Sequence, residues 1–151
     1  LLQDKTPGVP PSALLKEKMP TFEIIDLFDK DYKYKNDILV GKKTLVNFFA
    51  SWCSPCKAEH LFLMEINKNF PDLFLLGINY KDKKEDAMDF INSLGNPYDR
   101  IGIDDKGSIA MDFGVYGLPE TFIINEEGII IFKHVGPITK DLYNDQIKKL
   151  L

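Results

Sequence analysis

The chain has 151 residues, 44% of them hydrophobic, enough for a single domain with a sizeable core. Its net charge is −4, and its nineteen lysines and arginines lie scattered among acidic neighbours, so it offers no basic face to nucleic acid. No apolar run reaches the roughly 18 residues that a membrane-spanning helix needs.

Leu1 to Pro20 contains Pro7, Gly8, Pro10, Pro11 and Pro20, which favours an extended, poorly helical lead-in or tether. The chain opens Leu1-Leu2-Gln3 rather than on Met, so a signal or anchor upstream of it is expected. Phe22, Ile24 and Leu27 predict an edge strand or hairpin, with Asp29-Lys30-Asp31 as its turn, and Asn36 to Gly41 leads on. Thr44 to Ala50 is an apolar run rich in β-formers, suited to a strand buried on both faces. Ala58, Leu61, Phe62, Met64, Glu65 and Lys68 then follow in a helical pattern that runs to Phe70. Pro71-Asp72 breaks the chain before a second buried strand, Leu73 to Tyr80.

Lys83 to Leu94 reads as a helix with Ala87, Phe90, Ile91 and Leu94 on one face, ended by Gly95-Asn96-Pro97. Ile101 and Ile103 make a short strand, Asp105-Lys106-Gly107 a turn, and Ser108 to Phe113 a short helix closing at Gly114. Thr121 to Asn125 and Ile129 to Val135 form a hairpin through Glu126-Glu127-Gly128. Asp141 to Leu151 is a closing helix with Leu142, Ile147 and Leu150 inward. Strands alternating with helices imply an α/β fold with a parallel core, to which the hairpin adds antiparallel strands.

The only two cysteines, Cys53 and Cys56, stand where the central strand runs into the helix. A structural disulfide would stabilise little here, because the loop it closes is so short. A structural zinc site needs four ligands, and the remaining soft candidates are His60 and His134 alone, so no metal is expected. Redox chemistry explains the placement. At a helix N-terminus, unpaired backbone N–H groups and the positive end of the dipole favour thiolate over thiol. Cys53 is then the nucleophile, and Cys56, one turn in and more buried, resolves the mixed disulfide. Pro55 sits in the first turn, where its missing N–H costs nothing. Trp52 reads as a partial lid over the sulfur. His60 reads as a surface residue of the helix and His134 as a structural residue of the hairpin. Asn79 and Tyr80 end the second strand near the site, where they would line a groove or anchor a loop.

Four segments carry a resemblance that spans Met19 to Leu151. They are Trp52-Cys53-Ser54-Pro55-Cys56-Lys57-Ala58-Glu59-His60, Gly77-Ile78-Asn79-Tyr80-Lys81-Asp82, Leu94-Gly95-Asn96-Pro97-Tyr98 and Gly114-Val115-Tyr116-Gly117-Leu118-Pro119-Glu120-Thr121-Phe122. With them the chain resembles the membrane-tethered periplasmic thioredoxins of cytochrome c maturation, the CcmG/DsbE type within the TlpA/ResA-like group. The resemblance implies a thioredoxin fold, a central mixed sheet with helices on both faces, over residues 21–151, after an N-terminal extension over 1–20. It implies a cis-proline at Pro119 facing the disulfide, with Leu118 and Pro119 binding the substrate strand beside Trp52, Pro55 and Tyr80. Glu59 and Glu120 would be an acidic pair near the thiols; carboxylates there disfavour thiolate, and a buried one would take the proton of Cys56. Thioredoxins in general carry a buried Asp where Asn47 stands, and Asn47 cannot ionise. The implied activity is reduction of disulfides in apocytochrome c or the partner that holds its thiols, by a monomer in the bacterial periplasm. Electrons would come from a membrane thiol reductase, with no cofactor beyond the Cys53–Cys56 dithiol. A general extracytoplasmic reductase of the ResA/TlpA type and a non-catalytic apocytochrome-holding module are the alternatives.

Overall fold

The computed structural model describes residues 15–151. Pro7, Gly8, Pro10 and Pro11 of the lead-in, and with them most of the expected tether, lie outside the described residues. In chain order the elements begin with β1 (Glu23–Asp26), β2 (Lys33–Lys35), β3 (Thr44–Phe49), α1 (Ser54–Asn69) and β4 (Phe74–Tyr80). There follow α2 (Lys84–Leu94), β5 (Arg100–Asp104), α3 (Ser108–Asp112), β6 (Glu120–Ile124), β7 (Ile130–Val135) and α4 (Lys140–Leu142).

All six residues of β3 are buried, as an apolar run between two helical layers requires. It pairs in parallel with β4, and β4 with β5, while β6 and β7 add antiparallel strands on the other side. The sheet runs β2-β1-β5-β4-β3-β6-β7. Of the edge strand or hairpin expected here the hairpin forms: β1 pairs with β2 across Asp29-Lys30-Asp31 and lies between β2 and β5, antiparallel to both. The edge falls to β2, three residues long with Lys33 and Lys35 outward and Tyr34 inward. A short, charged strand of this kind resists pairing with other chains.

One face of the sheet carries α1, α2 and the C-terminal helix over Leu45, Phe49 and Ile123; the other carries α3 over Val46, Phe48 and Phe122, with Ile24 and Tyr34 of the first hairpin in the same core. Phe113 of the second core meets Phe48 and Phe122 at ring centroids of 5.3 and 5.2 Å. Two helical faces differ from expectation. Leu94 is exposed, because α2 ends there and Gly95, at φ 99°, turns the chain away. The closing helix is broken into α4, a π-helical turn and a 3-10 turn, so Tyr143 joins Ile147 in the core while Leu142 and Leu150 are only half-buried.

The near end of the lead-in is part of the domain before residue 21 is reached. Lys16 N–H donates to the Ile130 carbonyl, Ile130 N–H to that of Glu17, and Met19 N–H to that of Gly128. Among the described residues no helix is long and apolar enough to cross a membrane.

Candidate active site

β3 ends at Phe49, and Cys53 is the N-cap of α1. The Cys56 N–H donates to Cys53 Sγ at 3.2 Å, so one of the helix's unpaired amides points at the first sulfur. The two cysteines form a disulfide, with Cα atoms 5.3 Å apart. Cys53 is 5% exposed and Cys56 1%, so the first sulfur is the more open. Pro55 lies exposed in the first turn.

The loop before the cysteines is held from β4. Asp82 accepts from Ser51 N–H at 2.7 Å and from its hydroxyl at 2.8 Å, and Asn79 Nδ2 donates to the same carboxylate at 3.0 Å. Trp52 Nε1 donates to the Lys81 carbonyl at 3.0 Å, and its ring stands 6.4 Å from that of Tyr80. Trp52 is 60% exposed, a large apolar surface beside the dithiol. A groove of about 560 Å³ runs between Ser51, Trp52, Lys81, Asp82, Asp86 and Asp105. The role of Asp82 is not evident from the motif Gly77–Asp82; its one local signal is a carboxylate just past a strand end, able to accept several N–H bonds.

The register Phe48↔Glu120 places the Leu118–Pro119 pair at the end of β6 that lies beside the C-terminal end of β3. The Leu118–Pro119 peptide is cis. Pro119 is buried and its carbonyl accepts from Gly136 N–H at 2.9 Å, while Leu118 is half-buried between the two cores.

The carboxylates do not form one acidic pair. Register puts Asn47 opposite Thr121 and Phe48 opposite Glu120, so Thr121 faces α1 with Asn47 and Glu120 faces away with Phe48. Glu120 is fully buried and bound to Lys133 Nζ at 2.8 Å, and its other oxygen accepts from the N–H groups of Tyr116 and Gly117. Its charge is neutralised beneath the proline loop, on the far side of the sheet from Glu59.

Glu59 lies on the buried stripe of α1, Cys56, Glu59, His60, Leu63 and Ile66, one turn from Cys56. It is 0% exposed, and its oxygens accept from Asn47 Nδ2 at 2.8 Å and Ile138 N–H at 3.0 Å. Burial pushes its pKa up to about 7, and the two hydrogen bonds only partly oppose this. His60 is a correction. It is 3% exposed, its Nε2 lies 2.7 Å from the Gly95 carbonyl, and it meets Phe90 edge-on. Burial holds it below the ordinary imidazole value, against the pull of the Gly95 carbonyl. His134 Nε2 lies 3.1 Å from the Pro137 carbonyl, within its own hairpin end. Among the described residues no three His, Cys, Asp or Glu side chains gather as a metal site.

A carboxyl whose pKa rises on folding stabilises the fold while protonated and loses that contribution as it ionises. For Glu59 the contribution is complete below the unfolded value of 4.5 and gone above about 7. The stability of the oxidised wild type relative to Glu59→Gln should therefore fall by about 3 kcal/mol across that window, read from urea unfolding at each pH. A difference that stays level with pH would refute the assignment.

Residues 15–151 match the Redoxin family. The thiol:disulfide interchange protein CycY of Rhizobium leguminosarum bv. viciae is 52% identical over 99 residues, 66% of this chain and 53% of that protein. The chain thus spans about half the length of that relative. The thiol:disulfide interchange protein DsbE of Escherichia coli K12 is 37% identical over 140 residues, 92% of this chain and 75% of that protein. A structure from Chlorobium tepidum described as a DsbE thiol:disulfide interchange protein superimposes with a TM-score of 0.77 at 25% identity, covering 90% of this chain and 95% of that one. The fold alone is shared with a secreted Mycobacterium tuberculosis disulfide oxidoreductase, at a TM-score of 0.74 and 18% identity over 85% of this chain and 95% of that one. With a thioredoxin-fold sheet and a cysteine pair at the start of α1, the chain belongs to the Redoxin family, among the DsbE-type thiol:disulfide interchange proteins.

Proposed function

We propose that the chain is a dithiol reductase acting on the disulfide of apocytochrome c, or of the partner that holds its thiols, in the bacterial periplasm. The observation that carries this is the Cys53 sulfur at the cap of α1, accepting the Cys56 N–H, with a buried carboxyl one turn further along. In the reduced protein the Cys53 thiolate attacks one sulfur of the substrate disulfide. A mixed disulfide forms and the other substrate sulfur leaves as thiolate. Cys56 passes its proton to Glu59 and attacks Cys53 Sγ. The Cys53–Cys56 disulfide closes, the second substrate sulfur is released, and two electrons have moved to the substrate. A membrane thiol reductase returns them, and the chain works as a tethered monomer.

Trp52, Tyr80, Leu118 and Pro119 support the reading as a substrate surface. They share the end of the sheet where β3 and β4 terminate, the usual place for ligands in α/β sheets. Glu120 serves there by holding the loop, not by acting on the thiols.

The test is a competition between two disulfides. The reduced chain should reduce an oxidised C-x-x-C-H peptide, the haem-attachment pattern of c-type cytochromes, at least about tenfold faster than insulin. Equal rates would make it a general extracytoplasmic reductase. Reduction of neither, with binding of the peptide retained, would leave a holding module.

A further inference from the structure

One buried polar row crosses the centre of the sheet under α1. Register aligns Thr121 of β6, Asn47 of β3 and Gly77 of β4. Asn47 and Thr121 are 0% exposed. Both donors of the Asn47 amide are used, and its oxygen has a partner: Nδ2 donates to Glu59 Oε2 at 2.8 Å and to Thr121 Oγ1 at 3.2 Å, and Oδ1 accepts from the Tyr98 hydroxyl at 2.7 Å. Gly77 makes the last contact geometrically available. A Cβ at that position would lie 2.9 Å from the Tyr98 ring, so the missing side chain is the slot in which the ring lies. The ring also stacks on Phe49 at 5.2 Å, which keeps it in place independently of its hydroxyl.

We infer that Tyr98 is a positioning residue for Glu59: its hydroxyl, seated over Gly77, fixes which way the Asn47 amide points and so keeps an N–H donor on the Glu59 carboxylate. A tyrosine hydroxyl has one hydrogen to give, and here its acceptor is Asn47 Oδ1. If the amide turned over, Nδ2 would face the hydroxyl, and Oδ1 would face Glu59 Oε2. Two acceptors then meet unless Glu59 is protonated. The observed orientation suits the ionised carboxylate, and the reversed one suits the acid. The Tyr98 oxygen could accept from a reversed amide, but its hydrogen would then lose its acceptor in a buried site, so Tyr98 selects the first. Burial pushes the Tyr98 hydroxyl well above its ordinary pKa, as does the nearby Glu59 charge, so it stays a donor. The groups around Glu59 are Cys56 one turn before it on its own helix, Asn47 and beyond it Thr121 and Tyr98 from the sheet side, and the Ile138 N–H; the adjacent His60 is turned to the Gly95 carbonyl. None of these is an opposite charge that would mask the effect of one lost donor.

The consequence for exchange rests on the reading of Glu59 as the acceptor of the Cys56 proton, but the positional claim does not. The experiment follows the Glu59 side-chain carboxyl by ¹³C NMR titration in the full oxidised chain. Tyr98→Phe keeps the stacked ring and removes only the hydroxyl. Its Glu59 midpoint should rise by about one pH unit, a tenfold change in the ionisation constant. Tyr143→Phe removes another buried tyrosine hydroxyl, one that accepts from Asn69 Nδ2, and should leave the midpoint alone. An unmoved midpoint in Tyr98→Phe, or an equal shift in Tyr143→Phe, overturns the proposal. A direct reading on the wild type needs no variant: Asn47 side-chain NH₂ protons should show proximity to Thr121, and proximity to the Tyr98 ring edge instead would also overturn it. In stopped-flow resolution of the mixed disulfide, the pH midpoint should rise with the Glu59 titration in Tyr98→Phe and vanish in Glu59→Gln. If Glu59→Gln leaves that profile unchanged while Tyr98→Phe still moves the titration, the proton-acceptor reading fails and the positioning role stands.

Discussion

Cys53→Ser should abolish disulfide reduction, and Cys56→Ser should stop the reaction at its mid-point with substrate attached. The two sulfurs lie in one turn of helix but differ in access, 5% exposed against 1%. Only the first receives an N–H from the helix end at 3.2 Å. A serine hydroxyl there is not ionised near neutral pH, and the one thiol left, Cys56, is buried at 1% exposure and out of a substrate's reach. With Cys56 removed, attack by Cys53 still forms the mixed disulfide, but no thiolate remains to displace the substrate. Mixing each reduced variant with the oxidised C-x-x-C-H peptide and resolving the products by non-reducing mass spectrometry separates the outcomes. Cys53→Ser should give no adduct, and Cys56→Ser should give a stoichiometric adduct at residue 53. Full turnover by either single variant would contradict the two-thiol mechanism.

Lys133→Met should be strongly destabilising, although it lies away from the cysteines. The Lys133 side chain is 4% exposed and that of Glu120 0%, with 2.8 Å between the charged atoms. Lys133 Nζ also donates to the Gly114 carbonyl at 3.2 Å, while Glu120 Oε2 accepts from Tyr116 and Gly117 N–H at 3.0 and 3.3 Å. The pair therefore grips the loop before Pro119 by both a carbonyl and two amides. Burial pulls the Lys133 pKa down and Glu120 restores part of it, which marks a cation kept charged by its partner. Removing one member of a buried pair leaves the other uncompensated, at a cost of about 3–5 kcal/mol. The double variant Lys133→Met/Glu120→Gln should recover much of that loss, since no bare charge remains. Urea unfolding reads the cost, and hydrogen exchange at the Tyr116 and Gly117 amides reads loop loosening. A single-variant loss below about 1 kcal/mol would mean the pair is replaceable by water.

Much of this protein is written locally. Thr44 to Phe49 is apolar at every position but Thr44 and Asn47, so a doubly covered strand follows from the transfer of those side chains out of water. Breakers at Pro71 and Gly95 place the helix ends within a residue or two, and the cysteine pair at the strand–helix junction states the chemistry. The helix stripe shows where local reading stops. Periodicity in hydrophobic residues includes Leu61, which is 69% exposed, whereas the buried positions include a carboxyl and an imidazole, Glu59 and His60. Nothing within α1 distinguishes them from solvated residues. They are buried because the Gly95 end of α2, Asn47 of β3 and the Ile138 amide supply acceptors and donors at the right places, and those partners are 12 to 79 residues away in sequence. The same holds for Glu120 and Lys133. Adjacent letters put Glu120 beside the proline, but strand alternation sends it to the face opposite Glu59, and only the pairing of β6 with β7 brings Lys133 beneath it. The layers, the order of elements and the two sulfurs follow from the amino-acid order alone, because these depend on hydrophobic periodicity, breakers and spacing within one segment. Which polar groups are buried, what satisfies them and on which face each carboxyl acts were decided by the tertiary structure, because a buried polar group is stable only once distant partners have replaced its water.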